Sequence, residues 1–158
     1  MSEKIKVINA ARGRCVVNNR DLGIRRVWQA RGDVVTFTKE QLESLMYDPA
    51  FSNMVKEGYL YIDDMEVKKD IGVEPEDAEA PTIILMDEKQ LKRFWRDMPL
   101  PQFRLELRSL TRQQIMSLAD YAIQHGEEGS IEKANYLSKL SERNILKGIE
   151  LERQAKEE

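Results

Sequence analysis

Polar and apolar residues alternate at the start of the chain. Lys4-Ile-Lys-Val-Ile8 has the period of two expected of a half-buried strand. Cys15-Val-Val17 follows the break at Gly13, and Asn18-Asn-Arg-Asp21 supplies turn chemistry, because Asn and Asp tolerate left-handed backbone and bond their own main chain. Ile24-Arg-Arg-Val-Trp28 reads as a third strand. Val34-Val-Thr-Phe-Thr38 is a fourth, after a turn at Gly32-Asp33. Four short strands between turn signals predict a small antiparallel sheet or barrel.

The period then lengthens. Thr38-Lys-Glu-Gln41 has the form of a capping box, and Leu42, Leu45 and Met46 follow on one helical face. Asp48-Pro49 starts a second helix, since Asp caps well and Pro suits the first helical position. Phe51, Met54 and Val55 give that helix its apolar face, and Gly58 stops it. Tyr59-Leu-Tyr-Ile62 reads as a closing strand that rejoins the sheet. Met65, Val67 and Ile71 allow one weak helical turn. Glu74-Pro-Glu-Asp-Ala-Glu-Ala-Pro81 has no bulky apolar residue and is expected to be a linker.

The rest of the chain is helical in pattern. Asp87 caps a helix bearing Leu91, Phe94 and Trp95, which Pro99 and Pro101 break. A short helix with Phe103, Leu105, Leu107 and Leu110 follows. Thr111-Arg-Gln-Gln114 is a second capping-box form, opening a helix with Ile115, Leu118, Ala119, Ala122 and Ile123 on one face and ending at Gly126 and Gly129. Ser130 caps a helix with Ile131, Ala134 and Leu137, and Ser141 is expected to cap the last one, with Ile145, Leu146 and Ile149. Gly148 weakens that last helix by roughly 1 kcal/mol relative to Ala. The expected fold is α+β in two lobes: a β-rich lobe over 1–73, a linker over 74–81 and a bundle of short helices over 82–158.

The single cysteine among 158 residues excludes an internal disulfide. The longest apolar run, Ile83-Ile-Leu-Met86, is far short of the ~20 residues of a spanning helix. The first residues hold no signal-peptide pattern. A protein not secreted by a signal peptide and without a membrane segment is therefore expected. The net charge of −3 hides a split. Residues 1–31 hold eight basic and two acidic residues, net +6; residues 32–81 hold four basic and thirteen acidic, net −9; the remainder is neutral. The two segments either neutralise each other within the fold or leave a bipolar surface that docks on partners or on further copies of the chain.

Candidate chemistry is sparse. His125, the one histidine, lies at a predicted helix end, where a cation suits the helix dipole. Cys15 sits in an apolar strand, as an inert thiol does. Asp63, Asp64 and Glu66 lack the spacing of a calcium loop. No GxxxxGK[ST] or GxGxxG loop is present, and Gly126-Glu-Glu-Gly129 has the wrong charge to cradle phosphate. No catalytic, cofactor-binding or metal-binding residue is expected, and a hydrolase or transferase would have to work through His125 or Cys15.

Partner binding has more support. Arg12, Arg14, Arg20, Arg25, Arg26 and Arg31 crowd the predicted strands around Trp28, and Tyr59 and Tyr61 follow on the closing strand. Arg, Trp and Tyr dominate interface energies. The candidate partner-binding residues are Arg12, Arg14, Arg25, Arg26, Trp28, Arg31, Tyr59 and Tyr61, with Trp28 serving either a core or an interface. The alternative is a nucleic-acid-associated regulator, since small β-barrels bind single strands with a basic groove and stacking aromatics. Arg104, Arg108 and Arg112 recur every four residues, but the Thr111 cap interrupts that stripe and it reads as a solvated face.

The β-rich start (Gly13-Arg-Cys-Val-Val-Asn-Asn, then Gly32-Asp-Val-Val-Thr-Phe-Thr-Lys-Glu-Gln-Leu42), the Asp48-Pro49…Gly58-Tyr-Leu-Tyr-Ile62 segment and the helical tail from Leu110 to Ile123 together resemble virion-associated proteins of tailed bacteriophages. That resemblance implies a non-enzymatic capsid-associated or head structural protein, present in multiple copies in the virion or the host cytoplasm. It carries over no functional residue.

Overall fold

Each stretch of alternating sequence forms a strand in the computed structural model, which describes residues 4–157. The strands are β1 (Ile5–Asn9), β2 (Cys15–Asn19), β3 (Ile24–Trp28), β4 (Val34–Phe37) and β5 (Leu60–Ile62). The helices are α1 (Lys39–Leu45), α2 (Pro49–Glu57), α3 (Met65–Asp70), α4 (Glu88–Lys92), α5 (Leu100–Leu107), α6 (Arg112–Gln124), α7 (Ile131–Ser141) and α8 (Ile145–Glu157). A π-helical stretch, Arg93–Asp97, continues α4, and a 3-10 turn, Gly126–Glu128, follows α6. The chain is thus α+β, and it divides into two compact units, Met1–Leu85 and Met86–Glu158.

In the first unit β1 is the centre of an antiparallel sheet of order β4-β1-β5, and β2-β3 is a separate hairpin. The closing strand does rejoin the sheet, with Val7 opposite Ile62 and Asn9 opposite Leu60. Alternation sets the faces: Ile5, Val7 and Asn9 point inward with Phe37, Leu60 and Ile62, while Lys4 and Lys6 stay exposed. α1 and α2 add Leu42, Leu45, Phe51 and Val55 to this core. Both helix starts form as the sequence indicates. Thr38 and Gln41 make a complete capping box, and the Asp48 carboxylate accepts from the Ala50 N–H at 3.0 Å. Gly58 ends α2 in the left-handed region, φ 88°, where a side chain would strain the backbone.

Residues 74–81 carry no helix or strand, yet they begin from an anchored residue. Glu74 is buried, and its carboxylate accepts from the Thr82 N–H and hydroxyl at 2.9–3.1 Å, so the acidic stretch is a loop clasped at its base. The boundary between units falls after Leu85 rather than within this stretch.

The second unit packs Leu91, Phe94, Trp95, Phe103, Leu107, Leu118, Ala122, Leu137 and Ile145. Thr111 and Gln114 form the second capping box, and Ser130 caps α7. Ser141 is not a cap: it is the buried last residue of α7, and Asn144 starts α8 by accepting from the Lys147 N–H at 3.1 Å. Leu105 and Ile131, expected on apolar faces, are each 64% exposed. The break at Pro99 has a further cost. Proline has no N–H to offer the carbonyls of Phe94 and Trp95 a turn earlier. Lys133, buried on α7, replaces it: its ammonium donates to both carbonyls at 2.9 Å. Burial pushes the Lys133 pKa down. No helix among the described residues is long and apolar enough to cross a membrane.

Candidate functional site

Asn9 closes β1 with an inward-facing, fully buried amide. Such a group must be satisfied, and every one of its sites is used. Its Oδ1 accepts from the Ala11 N–H at 2.9 Å and from the Cys15 thiol at 3.3 Å. Its Nδ2 donates to the carbonyls of Gly13 at 2.6 Å and Ala30 at 3.1 Å. The Asn9 carbonyl takes the Gly32 N–H at 2.7 Å. One side chain therefore ties the loop after β1 to the loop after β3.

Neighbouring residues extend this knot. The Ala10 N–H donates to the Tyr59 carbonyl at 2.9 Å, and the Arg31 Nε donates to the Ala10 carbonyl at 3.2 Å. Asp33 secures the second loop by accepting from the N–H groups of Gln29 and Ala30, each at 3.0 Å. Arg12, Arg14, Arg31 and Tyr59 are thereby gathered at one corner of the first unit. Arg12 and Arg14 are exposed, and Tyr59 keeps 40% of its surface.

The other expected residues divide. Tyr61 lies on the same face as Tyr59, opposite Ile8, half-buried, with the Lys68 ammonium 4.2 Å from its ring centre and donating to its hydroxyl at 3.1 Å. Arg25 points outward on β3 opposite Asn18 and is exposed. Arg26 turns inward: its guanidinium covers the Phe37 ring at 5.5 Å and donates to the Arg25 carbonyl at 3.0 Å. Trp28 offers no surface to a partner. It is fully buried, lies 6.0 Å from Phe37 ring to ring, and its indole N–H donates to the Val7 carbonyl at 2.9 Å. Trp28 is a core residue, because a strand position opposite Cys15 faces the interior.

The charge split is not cancelled at these arginines. Among the described residues, the side chains of Arg14, Arg20 and Arg25 have no hydrogen-bond or ion-pair partner. Five of the thirteen acids of 32–81 are held elsewhere: Asp33 by its own loop, Asp48 by Asn19 and a helix start, Asp64 by the start of α3, Asp70 by Lys39 at 2.8 Å, and Glu74 by Thr82. A basic surface flanked by the exposed Tyr59 is what remains.

Cys15, Asp64 and His125 have structural duties. Cys15 is buried, and desolvation pushes its thiol pKa up, which disfavours the reactive thiolate. Asp64 is a helix cap. His125 is the C-cap of α6, with its ring stacked 4.2 Å from Tyr121, its Nδ1 3.6 Å from Glu128, and its carbonyl accepting the Trp95 indole N–H at 2.7 Å. Among the described residues, no group of three or more His, Cys, Asp or Glu side chains is placed to hold a metal ion. Asn9, Lys133 and Glu74 had no signal in the sequence, since their partners are fixed only by the fold. No protein-family model matches the chain, and neither a curated protein nor a solved structure matches it.

Proposed function

We propose that the protein is a non-enzymatic binding and assembly module that works in multiple copies as a virion-associated component of a tailed bacteriophage. Its docking surface runs from the basic corner of the first unit along the outward face of the β2–β3 hairpin, and the occupant is an acidic protein surface. The observation that carries this is the set of exposed, unpartnered arginines along the β2–β3 hairpin: Arg14 beside the knot that presents Arg31 and Tyr59, and Arg25 and Arg20 toward the hairpin's other end. Unpaired guanidinium groups make bidentate contacts with carboxylates and cost little to desolvate compared with ammonium groups. Rigid loops lower the ordering cost of binding.

Quantitative mass spectrometry of purified particles tests the setting, with several copies per particle expected. The Arg14→Glu/Arg25→Glu double variant tests the surface and should be missing from particles while melting like the parent. A random single-stranded oligonucleotide is the competing probe. Tight binding at low salt that is lost near ~0.2 M and abolished by the same double variant would favour the nucleic-acid regulator instead.

A further inference from the structure

The second unit holds a cleft of about 630 Å³ between the first turn of α7 and α8. Two glycines let the elements close beneath it. A Cβ on Gly126 would stand 2.2 Å from Ile149, and one on Gly148 2.9 Å from Ile123. Ile123, Leu146 and Ile149 line the cleft, and Ile131 stands on its lip. Leu146 is 39% exposed and Ile131 64%. Nothing inside the unit requires Ile131, because Ser130 caps α7 and Ala134 and Leu137 anchor it. Glu150 and Arg153 also line the cleft, three residues apart on α8 and so on the same side of the helix. Among the described residues neither side chain has a partner.

An apolar knob and an apolar hole thus share one patch with charges of both signs, Glu127, Glu150 and Glu152 beside Arg153 and Lys156. A two-fold interface uses the same patch on both sides, so the patch must complement itself. A surface of one sign would repel its own image; a surface with both signs side by side attracts it.

We infer that this cleft is the seat of a second copy of the chain. Ile131 of each protomer enters the cleft of the other against Leu146 and Ile149. Glu150 of each faces Arg153 of its partner across the axis. This interface uses no residue of the basic corner, and the two proposals stand or fall separately.

Sedimentation velocity of the full chain across about 1–200 μM tests it, a range that brackets typical weak homodimers. A concentration-dependent monomer–dimer equilibrium is expected. Ile131→Glu changes an already exposed side chain, so the fold is kept, and it should raise the dissociation constant at least ~10-fold, as loss of a central apolar anchor does. Glu150→Arg and Arg153→Glu should each weaken the dimer, and the double exchange should restore it. Arg14→Glu/Arg25→Glu should leave it unchanged. A chain monomeric throughout the range would overturn the inference and leave the cleft to a foreign helix. So would a dimer indifferent to Ile131→Glu and to both charge reversals.

Discussion

Gly129 carries a steric demand that its backbone does not advertise. Its φ of −108° and ψ of −177° are extended values open to any residue. By conformational entropy alone, Gly129→Ala should stabilise the protein by about 0.4–1 kcal/mol. The surroundings reverse that sign. A Cβ at this position would lie 2.2 Å from Trp95 Cε2, 2.3 Å from Cζ2 and 2.6 Å from Cδ2. Carbon atoms in contact sit at about 3.5–4.0 Å, so the ring or the Gly126–Glu128 turn must retreat by about 1.3 Å. The indole is flat, rigid and fully buried, and it is tied to the same turn by its 2.7 Å hydrogen bond to His125. Overpacking costs about 1–3 kcal/mol, and a stretched or broken buried hydrogen bond about as much again. Against the entropy gain, the net loss is about 1–5 kcal/mol.

Urea denaturation followed by far-UV circular dichroism measures this loss. A ¹H–¹⁵N spectrum locates it. The chain has two tryptophans, one in each unit, so two indole N–H peaks report separately. The Trp95 peak should move in Gly129→Ala. The Trp28 peak, set by the bond to Val7, should stay. An unchanged denaturation midpoint with an unmoved Trp95 peak would refute the steric argument.

Two further outcomes follow from buried polar groups. Lys133→Met removes the donor shared by the Phe94 and Trp95 carbonyls and should cost about 2–4 kcal/mol in chemical denaturation. Because burial lowers the folded-state Lys133 pKa, the unfolded chain binds more protons between that value and 10.5. The stability of the parent relative to Lys133→Met should therefore rise with pH through that window; a flat or falling difference contradicts the assignment. Asn9→Ala should destabilise the first unit by about 2–3 kcal/mol, as several buried partners lose their bonds together. It should also speed the reaction of Cys15 with a disulfide reagent, which a merely peripheral Asn9 would not do.

What was legible in the sequence was local. Thr38 and Gln41, Thr111 and Gln114, Asp48 with Pro49, and Gly58 all act within a turn of the residues they serve, so adjacency reveals them. The strand alternation was equally readable, because the side facing inward is set by period alone. The misplacements share a cause. Ser141 and Asn144 are both acceptable caps by residue type, and the left-handed Glu142 at the end of α7 decides between them. Leu105 and Ile131 fit a helical period, but which part of a face meets a neighbour depends on packing. Trp28 could serve a core or an interface until its register opposite Cys15 turned it inward. At the candidate site the arginines were visible, while the amide that gathers four candidate residues at one corner was not. Asn9 reaches Ala30 across 21 positions, and no local pattern encodes such a partner.

The clasp at Glu74 separates the path of the chain from the shape of the first unit. Its carboxylate holds Thr82 in place, so the seven residues between are suspended from a fixed base. Closing such a loop costs only about 0.6 kcal/mol more for each doubling of its length. A peptide epitope or a fluorophore spliced in after Asp77 should thus ride on the protein without disturbing the sheet beneath it.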